Sequence, residues 1–204
     1  MFVLGKLENN KKQKKETLYS TAFELFTTKG LSKTTISDIV DKAGVAKGTF
    51  YLYFKDKYDI KNKLVTHKAQ DLFMQAHKDL KKTDITDFEE QIMFIIDHII
   101  NTLKNNTSLL YFIAKNLSWG VFRNALNSSP EDSEENFYDM FKDMIPRDSM
   151  DDNSAELLLF QLVEFISSTA YSTILYNEPV SLNEFLPHMH NTIHLMINSY
   201  YHKP

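Results

Sequence analysis

Residues 34–57 read TTISDIVDKAGVAKGTFYLYFKDK. Three signals punctuate this stretch. Thr35 is a good N-cap, and Asp38, three residues on, stands near a capping box although not in its Glu/Gln form. A short helix is therefore expected over about 36–42, with Ile36, Ile39, Val40 and Ala43 as its buried face. Gly44 then breaks the chain. A second short helix follows over about 46–53. In it Phe50 and Phe54 lie i, i+4 for the core, while Lys47, Gly48, Thr49, Tyr51 and Tyr53 offer donors, a bare backbone or flat amphipathic rings. Two short helices joined by a glycine-containing turn form a helix-turn-helix pattern.

Upstream, Leu18, Ala22, Leu25 and Phe26 make one apolar stripe, which predicts a first helix over about 11–29. Gly30 fits a C′ stop, with Leu31 placed to pack back on Phe26 as in a Schellman cap. Lys11, Lys12, Lys14 and Lys15 crowd that helix's first turns, where they oppose its dipole, a placement that an external anion would relieve. Downstream, Asp56 caps a fourth helix to about residue 81, with Ile60, Leu64, Leu72, Ala76 and Leu80 as its apolar line.

The remainder is helical by the same periodicity. Phe88, Ile92, Ile95, Ile96, Ile99 and Leu103 mark a strongly periodic helix, and residues 105–107 a turn. Residues 109–126 read as one buried helix carrying Trp119, residues 127–135 as an acidic loop. Phe137, Met140, Phe141 and Met144 mark a short helix ending before Pro146, and residues 147–153 a polar loop. Long helices are expected over about 155–176 and 182–201, separated by Pro179. This amounts to about nine helices and an all-α class. Only 5 Gly and 5 Pro in 204 residues agree with that, since β-sandwiches and barrels need many tight turns. The absence of cysteine excludes disulfides and thiol chemistry. No continuous apolar run reaches the ~18 residues of a spanning helix, and residues 1–10 lack a secretory apolar stretch, so a cytoplasmic location without a membrane partner is expected.

The net charge of −4 conceals a split. Residues 1–82 hold 17 Lys, no Arg and 9 carboxylates, a balance of +8, and residues 83–204 carry −12. A basic end on an acidic body suits a nucleic-acid partner, although a solvated lysine surface has the same composition.

The stretch from residue 11 to 65, and residues 34–57 above all, resembles the DNA-binding domain of the TetR family of transcriptional regulators. The matching pattern is Thr, apolar, acidic-Ile, Ala-Gly-Val, Lys-Gly-Thr, Tyr-x-Tyr-Phe and a following Lys. The resemblance implies a helix-turn-helix domain over 1–65, with its motif at about 34–53, and a larger helical ligand-binding and dimerisation domain over 66–204. It implies a homodimer that places its third helices in the major groove of a double-stranded operator and is released by a small molecule. Carried over by position, Lys47, Gly48, Thr49 and Tyr51 meet bases or nearby phosphates, and Tyr53, Lys55, Lys57 and Thr35 meet backbone phosphate. Helix N-termini suit phosphates on physical grounds as well. Two departures matter. Ala46 stands where the family often has a Ser N-cap, at a cost to the third helix of roughly 0.5–2 kcal/mol. No Arg is available for guanine, which predicts an operator whose recognised bases lean toward A·T.

In the second half, the last two helices carry surplus apolar surface and small residues. With the resemblance, this places Leu158, Phe165, Ser168, Leu186, Met189, Ile193, Met196, Ile197 and Tyr200 at a dimer interface. Candidate effector-pocket walls are His67, Phe73, Phe94, Phe112, Trp119, Phe122, Phe141 and Tyr171, suited to a bulky hydrophobic compound or to a cationic one near Glu164. His190 and His194 share a helix face at a metal-compatible spacing, but no third ligand is evident, so neither metal nor cofactor is assigned. No nucleophile elbow, phosphate loop, HExxH or dinucleotide fingerprint is present, which argues against an enzyme. A non-specific architectural DNA binder is the alternative, and the acidic body argues against it.

Overall fold

The computed structural model of the chain describes residues 2–117, 119, 120, 123 and 137–200. Among these residues the fold is helical without strands: α1 (Phe2–Thr28), α2 (Ile36–Ala43), α3 (Lys47–Tyr53), α4 (Lys57–Leu80), α5 (Phe88–Asn105), α6 (Thr107–Asn116), α7 (Phe137–Met144), α8 (Asp152–Leu175) and α9 (Leu182–Tyr200). The all-α class read from the sequence is the class observed. Two compact units, Met1–Val65 and Thr66–Pro204, divide the chain within α4. Phe122 and the acidic loop 127–135 lie outside the described residues.

In the first unit α1 begins nine residues earlier than its apolar stripe predicts. Lys11, Lys12, Lys14 and Lys15 therefore stand in its third and fourth turns, too far along to oppose the dipole, which acts over the first turn. The expected strain on them is absent. Gly30 adopts φ +85°, as a stop requires. Its N–H, however, donates to Leu25 O at 3.2 Å, one residue out of register for Gly30 as the C′ of a Schellman cap. That register appears at α2 instead: Val45 N–H donates to Val40 O and Gly44 N–H to Asp41 O, with Gly44 at φ +65°. At the other end of α2 the capping box is complete with Asp38 in the Glu/Gln position. Asp38 N–H donates to Thr35 Oγ1 at 3.1 Å and Thr35 N–H to Asp38 Oδ2 at 2.7 Å. Ile39 and Val40 are buried and Ile36 and Ala43 half-buried. Ala46 supplies no side-chain cap to α3, as expected. Phe50 and Phe54 pack inward, their rings 5.4 Å apart, with Tyr19 5.3 Å from Phe54.

In the second unit one buried cluster joins Phe88, Ile92, Ile95 and Ile96 of α5 to Leu158 and Leu162 of α8 and to Met189, Ile193 and Ile197 of α9. Four of this unit's helix starts have a local cause. The Asp87 carboxylate accepts Glu90 N–H, that of Asp151 accepts Ser154 N–H, and Asn106 closes α5 while its side chain accepts Leu109 N–H to open α6. The Asp151 cap starts α8 three residues ahead of expectation. Ser181 and Glu184 form a further reciprocal cap at α9. The helix expected over 109–126 ends at Asn116: Asn116 Nδ2 donates to Phe112 O at 2.7 Å and Leu117 turns to extended backbone.

Four of the nine side chains expected at a subunit interface belong instead to this chain's own core. Leu158, Met189, Ile193 and Ile197 are fully buried within it. A heptad-like stripe has the same spacing whether it faces α5 of its own chain or a second copy. Phe165, Leu186, Met196 and Tyr200 are half-buried against the same core, and Ser168 is exposed. On these two helices the large apolar groups facing outward are Leu157 and Leu195. By length and composition α8 would suffice to cross a membrane, a property that core helices share; Leu158, Leu159 and Leu162 set it into the core here. His190 pairs with Asp97 at 2.8 Å and His194 with Glu89 at 2.5 Å. The two histidines thus tie α9 to separate turns of α5, and no metal-competent cluster occurs among the described residues.

Candidate functional site

The outward face of α3 is built by contrast with its inward one. Phe50 and Phe54 anchor the helix, and this leaves Lys47, Gly48, Tyr51 and Leu52 exposed, with Thr49 half-buried beside them. Gly48 has negative φ, and a Cβ built there meets nothing within 4 Å, so the fold itself does not demand glycine. The bare backbone leaves room there for close approach from outside. Lys55 is exposed just beyond the helix, its own N–H donating to Asp59 Oδ2.

Three of the residues expected at phosphates are engaged within the unit. Thr35 is the exposed N-cap of α2. Tyr53 is half-buried, and its hydroxyl donates to Lys11 O at 3.3 Å, bracing α3 against α1. Lys57 turns inward: Nζ donates to the carbonyl oxygens of Leu31, Ser32 and Thr34 at 3.0, 3.2 and 3.1 Å. An ammonium held by three carbonyls is a brace on the loop before α2, not an outward cation. Sequence spacing gives no sign of this, because the partners lie 23–26 residues away.

Asp38 links the cap to Lys29, the residue that follows α1. The Lys29 ammonium at 2.7 Å, followed by the Thr35 N–H and hydroxyl, lowers its carboxyl to about 2. Its folded pKa is thus below its unfolded one, so the contribution to stability is complete above the ordinary carboxylate range and is lost as pH falls through the folded value. Asp38→Asn is expected to be less stable than the parent at neutral pH, and the gap to close between about pH 4 and 2. Denaturant titrations across that range check this; a gap independent of pH would show that charge plays no part.

The second unit contains a cavity of about 140 Å³. Of the residues expected at an effector pocket, Phe73 and Phe141 line this cavity. Phe94, Phe112, Trp119 and Tyr171 do not, and His67 stands elsewhere beside Asp71 at 3.7 Å. The rest of the wall is aliphatic, chiefly Ile92, Ile95 and Ile99 of α5 and Leu162 and Ile166 of α8. Ser167 contributes the one polar side chain, and Glu164 is not part of the wall. Aliphatic residues at helical spacing look like plain core in a sequence, which is why these walls were not legible.

Residues 18–63 match the family model of bacterial regulatory proteins, tetR family. The first unit is a TetR-family domain. An uncharacterized HTH-type transcriptional regulator of Bacillus subtilis, YvdT, is 44% identical over 70 residues. That match takes in 32% of this chain and 36% of the relative, so the chain spans little more than a third of the relative's length. An HTH-type transcriptional regulator of Staphylococcus aureus is 22% identical over 186 residues, 91% of this chain and 95% of that one. Among solved structures, the transcriptional regulator FadR of Bacillus subtilis, in complex with stearoyl-CoA, superposes with a TM-score of 0.62 at 18% identity over 87% of this chain and 96% of that one. The fold shared with that regulator therefore extends through the second unit. The relatives carry the names of transcriptional regulators, not of enzymes.

Proposed function

We propose that this chain is a homodimeric, sequence-specific DNA-binding regulator. It represses from a palindromic operator in the cytoplasm and leaves DNA when a small apolar molecule occupies the cavity of the second unit. The observation that carries the reading is the outward face of α3, where exposed Lys47, Gly48 and Tyr51 stand on a helix anchored by Phe50 and Phe54. Lys47 and Lys55 supply the charge for phosphate, and Tyr51 a ring for base edges. Surplus apolar surface on α8 and α9, at Leu157 and Leu195, supports a second copy packed on that face.

The cavity supports an uncharged apolar effector. A cation would enter without a carboxylate to meet it, at a high desolvation cost. Engineered cavities of ~150 Å³ with similar walls bind benzene, so a larger occupant must spread the helices, which is the motion that release requires. FadR's complex with stearoyl-CoA supports an alkyl or acyl chain as the entering part.

Footprinting with selected DNA tests the reading. A discrete palindromic site rich in A·T contacts is expected. Tyr51→Ala should lose discrimination between sequences along with affinity. Uniform coating of any duplex would instead establish the architectural alternative, and a G·C-rich site would overturn the reading of the arginine-free head.

A further inference from the structure

Leu52 has the highest exposure of any large hydrophobic side chain described, at 78%, and it stands on α3 between the two tyrosines. We propose that Leu52 is a specificity residue that reads thymine 5-methyl groups in the major groove. The inference rests on the DNA-binding reading above and adds a residue and a chemistry to it. Leucine has neither donor nor acceptor, so a phosphate or a guanine edge offers it nothing. The one apolar group on the major-groove edge of the four bases is the thymine methyl. Gly48 lies one turn earlier on the same helical face, and the space beside it is open. A base edge can therefore come close to the leucine without meeting another side chain at that position. The composition points the same way: residues 1–82 contain no Arg, so the commonest guanine contact is missing and discrimination must come from other groups. Removing this leucine from water against a methyl turns an exposed apolar group into sequence information.

The test uses the full chain and an operator selected from random duplexes. Deoxyuridine replaces thymine one position at a time, which deletes only the methyl. For the parent, one position per half-site should weaken binding about fourfold, the worth of one buried methyl. Leu52→Ala should bind the thymine operator more weakly and show no further loss on deoxyuridine at that position. Lys55→Ala serves as control and should keep the methyl penalty in full. Because Leu52 is exposed, its truncation leaves the core untouched, and an unchanged melting temperature verifies that. The proposal is overturned if no deoxyuridine position weakens the parent, or if the penalty persists in Leu52→Ala, which would assign the methyl to another residue such as Tyr51. If the parent selects no discrete operator, the regulator reading itself falls and this inference with it, an outcome distinct from the other two.

Discussion

Phe141→Ala should destabilise the second unit by about 3–5 kcal/mol, the usual range for deleting a buried phenyl ring. Phe141 is 1% exposed, and its ring centroid lies 6.3 Å from that of Phe88 on α5. It also forms part of the cavity wall, so the ring's removal joins new empty space to space already there. Neighbouring side chains have less reason to collapse inward around a site that is already underpacked, which places the cost toward the upper end. The same variant also changes what the cavity can hold. A larger cavity should accept longer apolar probes, so thermal-shift gains with alkanols of increasing chain length should peak at a longer chain than in the parent. Urea denaturation reads the first effect and the alkanol series the second. A destabilisation below about 1 kcal/mol, or an unchanged peak, would mean that Phe141 does not wall the cavity. Cavity occupancy stabilises by mass action, so both measurements need fixed probe concentration.

The first unit was legible because its signals are local. Thr35, Asp38 and Gly44 fix the ends of α2 within a few residues of themselves, and Phe50 and Phe54 declare their inward face by spacing alone. The start of α1 was not legible, since Gly5, Asn9 and Asn10 read as helix-weakening residues and the helix runs through them. In the second unit the helices could be read and their partners could not. Met189, Ile193 and Ile197 have the spacing of an interface seam, and only the packed structure shows that α5 and α8 of the same chain already cover them. The cavity had no signature for a similar reason. Its isoleucines and leucines differ from core residues only in having a gap beside them. His190 and His194 likewise share a face in the sequence, yet their carboxylate partners lie about a hundred residues away on α5.

Lys57 divides the two accounts of the DNA-binding unit most sharply, because its position in the family pattern and its geometry assign it different work. As a phosphate ligand it would weaken every duplex alike when removed and would flatten the salt dependence by about one unit of slope. As a brace it holds the carbonyls of Leu31, Ser32 and Thr34 together on one ammonium. Hydrogen bonds from a charged donor contribute about 1.5–3 kcal/mol when well shielded, and this site is only partly buried. Lys57→Met, which keeps the aliphatic stem, is therefore expected to cost the first unit about 2–3 kcal/mol in total. Binding should weaken in proportion to the folded fraction, with the slope against salt unchanged. Lys55→Ala and Lys47→Ala should do the reverse: their melting temperatures stay with the parent, while each slope falls by about 0.9 for every phosphate no longer neutralised. Denaturation and salt titration on the same three variants separate the roles. A Lys57→Met protein as stable as the parent but with a flattened slope would return the lysine to the DNA. A destabilised protein with the parent's slope makes it the strut that sets α2, and through the Gly44 turn α3, at the angle the groove requires.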